Sequence, residues 1–358
     1  TRTSPEATPD SAVERAEIET ERLSEIVKVL ASDEFEGRAP GTPGGIKTVQ
    51  FLIEQFTELG LEPGGRDGAW TQAVPMIQTQ VQSPATMQFS IGDDSQVLEM
   101  QTDIEASTVR PVESIAINAP VVFVGFGAYA PERDWDDYGD IDLRGKVALF
   151  LVNDPDFAAA PDEPVAGRFG NRRMTYYGRW TYKYEEAARR GAAAAFVIHE
   201  TKAAGYGWNV ASSSPGKNLA VVAAEPTDDP ITLQGWLHGD AAATLMASAG
   251  HDLDELRVRA RSPEFEAFEL RDVVFEANLS VTVDNIESSN VLARLPGETR
   301  PDEVLMVSAH WDAYGQGEPD AEGRTVRPGA NDDALGTAGV LEIARVLAEG
   351  PPLERSVV

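Results

Sequence analysis

The chain contains no cysteine. That absence excludes disulfide frameworks, thiolate-held zinc and thiol nucleophiles, and leaves the redox compartment open. Basic residues are scarce, with 30 Lys and Arg against 59 Asp and Glu and a formal charge of −29. Such a field repels phosphate backbones and anionic lipid, so nucleic acid is not an expected partner. An acidic surface is compatible with cation binding, but it is also a common solubility trait. Long apolar runs are missing too. The longest, VALFLV at 147–152 and AAAAFVI at 192–198, fall far short of the ~20 residues that span a bilayer. Neither H-E-x-x-H nor G-x-S-x-G occurs, which removes a thermolysin-like zinc site and a serine nucleophile elbow.

What is present is a soluble globular composition, 42% hydrophobic and 25% charged, over 358 residues. That length suits two cores rather than one. The polar opening TRTSPEATPDS matches an exported protein after signal removal, or equally a cloning boundary, so a secreted or periplasmic location is expected. Helical spacing of Val13, Ile18, Leu23, Ile26, Val27 and Leu30 predicts an amphipathic helix over 12–30. A Gly- and Pro-rich loop is expected at 32–45, a second helix at 46–59 and a strand at 70–81. From about residue 84 to 283 the texture turns to short strands with one clear helix near Tyr182. This reads as a β-rich α+β domain inserted into a first domain made of 1–83 and 284–358. The acidic run 134–142 fails EF-hand spacing, because Arg144 stands where an oxygen ligand is needed; a solvated turn is expected there.

The stretch with chemistry in it runs from 304 to 344. An apolar strand, VLMVSA, ends in His310-Trp311-Asp312. A polar loop then closes on Pro328-Gly329-Ala330-Asn331-Asp332-Asp333 ahead of a helix with a small-residue start. Open α/β sheets bind ligands beyond the carboxyl ends of their strands. Imidazole and carboxylate are zinc-type ligands at neutral pH. In extended geometry residues i and i+2 face the same side, so Asp312 can orient His310 from its other ring nitrogen. Taken singly, a structural His and N-capping carboxylates would explain these residues. Strand, H-x-D, loop and the P-G-A-N-D-D-A-x-G helix entry in sequence favour a metal.

These residues carry a family resemblance. ASDEFEGRAPGTPGG, ESSNVLARLPG, SAHWDAYG and GANDDALGTAGVLEIAR resemble, in order, the zinc-dependent exopeptidases of the bacterial leucyl aminopeptidase and glutamate carboxypeptidase-like family. The 84–283 region resembles a protease-associated domain, through YAPERDWDDYGDIDLRGKVALFLVNDP, EEAARRGAAAAFVIHE and GYGWNV. The fold so implied is α/β: a mostly parallel mixed sheet flanked by helices, with the inserted domain expected to limit substrate size. The resemblance further implies two zinc ions, with His310 ligating one, Asp332 bridging both, Asp312 supporting His310 in a catalytic role, and a cis or strained peptide after Asp332. It places the general base and the remaining ligands after Val358. Residues 1–358 alone are therefore expected to be inactive, with the rest of the catalytic domain supplied by another segment or a second polypeptide. His199, His238 and His251 match no motif and are expected to be ordinary histidines. The expected activity is removal of N-terminal residues from peptides. Alternatives are a carboxypeptidase, a glutaminyl cyclase-type relative, or a metal-free receptor-like binder of the same architecture.

Overall fold

The structure is a computed structural model that describes residues 16–222, 230–317, 319–320 and 322–358. The chain divides into two compact units, one formed by 1–75 with 286–358 and the other by 76–285. Two strands, Thr71–Val81 and Phe268–Val291, carry the chain across the boundary.

The 76–285 unit is built on a mixed sheet of ten strands. Its centre is parallel: Ser114–Phe123, Val147–Leu151, Ala194–Ile198 and Leu233–Leu237 lie side by side in that order. Antiparallel strands flank this centre on both sides. Central parallel strands are covered on both faces and so are apolar throughout, as VALFL and AAFVI are. Alternation along each strand splits these residues between two cores. Leu149, Phe196 and Ile198 enter one, where Phe196 and Phe275 rings meet at 5.2 Å. Ala148, Phe150 and Val197 enter the other, beneath the helix Trp180–Arg189 with its Tyr184 and Ala187.

The acidic run in this unit is the expected solvated turn at Asp134, Asp136, Asp140 and Asp142, which are exposed, and departs from it at Asp137. Asp137 is only 1% exposed. Its carboxylate accepts hydrogen bonds from the Trp135 indole and the Ala128 amide, both at 2.9 Å. Trp135 and Tyr138 are buried beside it, whereas Asp136, also between them, is exposed. Burial raises the Asp137 pKa to about 7 in spite of those bonds. The three histidines are structural. His199 is buried with Nε2 on the Tyr206 carbonyl at 3.0 Å, His238 caps a helix through the Asp240 amide, and His251 packs on Phe268.

In the other unit the helices Thr20–Leu30, Pro43–Glu58 and Leu335–Ala348 pool Ile26, Leu30, Leu52, Phe56, Ala338 and Leu341 in one core. The first helix is shorter than expected. Residues 12–15 lie outside the described residues, and 16–19 are not helical. The Glu19 amide instead donates to the buried Glu342 carboxylate at 2.8 Å, which Arg345 also binds at 2.6 Å. The loop expected at 32–45 is also partly helical. Asp33–Arg38 form a tight turn, and the next helix starts at Pro43 with Thr42 as its cap. Gly44 is there for close approach rather than flexibility, since a Cβ on it would lie 2.1 Å from the Phe35 carbonyl oxygen.

The strand expected before His310 is short. It covers Arg300–Leu305 and pairs in parallel with Arg355–Val357. It also differs from the buried strand expected of such a sheet: Leu305 is 56% and Met306 72% exposed. Among the described residues no helix is long and apolar enough to cross a membrane.

Candidate metal centre

Three segments of the 1–75/286–358 unit meet around the sequence-predicted residues. The first is His310-Trp311-Asp312, the second the wide turn Ala330–Ala334, and the third the tight turn Asp33–Arg38. Trp311 anchors the first segment by donating from its indole to the Ser289 carbonyl at 3.0 Å. Thr337, in the helix that follows the turn, donates to the His310 carbonyl at 3.0 Å. The turn itself leaves helical dihedrals at Asp332 and Asp333, and the peptide between them is cis, as the resemblance implies. Asp333 faces the helix start and accepts the Gly336 amide at 2.8 Å, as a helix-capping carboxylate does.

The structure brings His310 and Asp332 together. His310 Nε2 stands 3.1 Å from Asp332 Oδ1. Its Nδ1 faces Asp312, 3.1 Å from the backbone carbonyl and 3.5 Å from the carboxylate. Both ring nitrogens thus face oxygens that only accept. A neutral imidazole carries one N–H, so one of these two contacts requires a cation, either a second proton or a metal. Burial lowers the His310 pKa, but Asp312, Asp333 and Asp332 together outweigh it and raise the net value. The donor set fits zinc: an imidazole nitrogen and a carboxylate oxygen converge on one point, with Asp312 holding the far ring nitrogen. The other Asp332 oxygen accepts the Tyr314 hydroxyl at 2.6 Å. Among the described residues no group of three or more His, Cys, Asp and Glu stands ready to hold a metal, and His310 and Asp332 are two candidate ligands.

Sequence reasoning missed Arg38. It sits at the end of the tight turn with a left-handed φ of 52°, and its side chain is fully buried. Its guanidinium donates to the carbonyls of Trp311 at 2.9 Å, Pro328 at 2.7 Å and Gly329 at 2.8 Å, and also to that of Leu30. Burial lowers its pKa, opposed by the charges of Asp312 and Asp333. The sequence signal was an arginine set between Gly37 and Ala39 in a stretch that otherwise reads as loop.

Comparison with known proteins bears on the same stretch. Residues 290–358 match Peptidase family M28. The chain is 32% identical over 133 residues to a probable zinc metalloprotease of Pyrenophora teres f. teres (strain 0-1), an alignment covering 32% of this chain and 27% of that protein. It is 42% identical over 67 residues to a probable zinc metalloprotease of Pyricularia oryzae (strain 70-15 / ATCC MYA-4617 / FGSC 8958), covering 19% of this chain and 13% of that protein. Among solved structures, an aminopeptidase from Aneurinibacillus sp. strain AM-1 aligns with 95% of this chain at 19% identity and a TM-score of 0.47. The alignment spans 61% of that aminopeptidase. A zinc aminopeptidase from Bacillus subtilis aligns at 17% identity with a TM-score of 0.45.

Proposed function

We propose that the chain forms part of a two-zinc exopeptidase, an aminopeptidase that removes N-terminal residues from peptides. The observation that carries this reading is the His310–Asp332 contact, in which an imidazole nitrogen and a carboxylate oxygen stand 3.1 Å apart while the other ring nitrogen faces Asp312. The M28 match over the same residues supports it. His310 would offer Nε2, kept in register by Asp312 on its other nitrogen. Asp332 would offer Oδ1, and both of its oxygens if it bridges two ions. Tyr314 would hold the carboxylate plane through its hydroxyl. Zinc bound there would polarise a scissile carbonyl and bring a bound water to a pKa of ~7. A carboxylate base must then take the proton of that water and return it to the leaving amine. No described residue near His310 and Asp332 is placed for this, so we assign the base and the missing ligands to a further segment or a second polypeptide.

Release of aniline from aminoacyl anilides by the natural protein tests the reading. Chelation, His310→Ala and Asp332→Ala should each lower the rate by at least ~1000-fold. Hydrolysis indifferent to all three would remove the metal from the mechanism. A properly folded protein that binds no zinc would instead favour the receptor-like alternative. A preparation of residues 1–358 that turned over alone would overturn the placing of the base elsewhere.

A further inference from the structure

Arg38 belongs to neither of the segments that carry His310 and Asp332, yet it is bonded to both. Trp311 lies between His310 and Asp312, and its carbonyl accepts from Arg38 Nε at 2.9 Å. Pro328 and Gly329 open the turn that delivers Asp332, and their carbonyls accept from Nη1 at 2.7 Å and Nη2 at 2.8 Å. The backbone repeats the link, since the Ala313 amide donates to the Arg38 carbonyl at 3.2 Å. The approach leaves no room. A Cβ on Gly37 would lie 2.4 Å from the Gly315 oxygen and 2.6 Å from the Arg327 oxygen. One on Gly329 would lie 3.1 Å from Arg38 Nη2. A guanidinium has five N–H donors in a rigid plane, so carbonyls that share it are fixed relative to one another. An ammonium on a flexible stem cannot do the same.

We infer that Arg38 is a positioning residue. By clasping the 311–313 and 328–329 backbones it sets the distance between His310 Nε2 and Asp332 Oδ1, and through that distance the affinity for metal. This rests on the zinc reading proposed above. It assigns no contact between Arg38 and metal or substrate.

Zinc titration by calorimetry, with His310→Ala defining the zinc that belongs to the site, separates the two claims. Wild-type protein should show a His310-dependent site. Arg38→Lys keeps the charge and loses the planar fork, and should weaken that site at least tenfold while the far-ultraviolet circular dichroism is unchanged. Arg38→Gly suits the left-handed backbone and leaves a guanidinium-sized hole. Methylguanidine should restore its zinc affinity to within about threefold of wild type. A folded Arg38→Lys protein that binds within twofold of wild type overturns the inference. So does an Arg38 variant that loses zinc only by unfolding, or an Arg38→Gly protein whose affinity methylguanidine leaves unrestored. Wild-type protein without any His310-dependent zinc overturns the peptidase reading itself, and this inference falls with it.

Discussion

Asp137 and Asp332 are both aspartates in acidic runs, and they do opposite things. Asp137 lies in the 76–285 unit, buried, with its carboxylate taken by an indole and an amide. Asp332 lies in the other unit with a side chain 59% exposed, and it faces an imidazole and a phenol. The first carboxylate is used up by the fold. The second is left near solvent, with one oxygen on an imidazole and the other on a phenol. Buried polar groups in folded proteins are satisfied, so a polar group held in place but satisfied only by another ionisable group marks chemistry rather than architecture. The strands follow the same contrast: Val147–Leu151 is buried at every position, whereas Arg300–Leu305, leading to His310, is mostly exposed.

The comparison can be broken in four ways. The largest expected effect is in the sheet core. Phe196→Ala should cost ~3–5 kcal/mol, read by urea unfolding, because its ring is fully enclosed and packed on Phe275. Asp137→Ala comes next at ~3 kcal/mol, since it leaves the Trp135 indole and the Ala128 amide buried without an acceptor. Asp140→Asn in the same run, at an exposed position, should stay within ~0.5 kcal/mol. Equal costs at 137 and 140 would return the run to a solvated turn.

A pH effect follows from Glu105, whose Oε1 accepts the Gly216 amide at 2.6 Å. Burial raises its pKa from 4.5 to about 8, against that hydrogen bond. The folded state therefore holds a proton that the unfolded chain releases. Stability from this group is complete below pH ~4.5 and is lost as pH rises towards ~8. Glu105→Gln should reduce the slope of denaturant midpoints measured from pH 5 to 8, leaving the part that the raised Asp137 carboxyl carries, and an unchanged slope would assign it elsewhere. At the metal centre the effect on stability is as small as at Asp140. His310→Ala should change unfolding by under ~0.5 kcal/mol, because the side chain is half exposed, while removing zinc binding.

The sequence made some of this legible and hid the rest for physical reasons. The 147–151 and 194–198 strands could be read because a strand buried on both faces is apolar at every position. The His310–Asp332 pairing could be read because spaced motifs at a strand end and a helix start have few other uses. Asp137 could not, since alternation of acidic and aromatic residues does not say which carboxylate the aromatics will pull inside. Arg38 was hidden for a different reason. Its partners are backbone carbonyls far along the chain, and carbonyls leave no mark in a sequence. The exposure of Leu305 and Met306 was equally invisible, because an apolar run states a preference for burial and not what provides it.

The most direct measurement is the zinc K-edge absorption spectrum of zinc-loaded protein, recorded for wild type and for His310→Ala. The account predicts imidazole scattering in the first shell of wild type at a Zn–N distance of ~2.0–2.1 Å, lost in the variant. Identical spectra from the two proteins would contradict it.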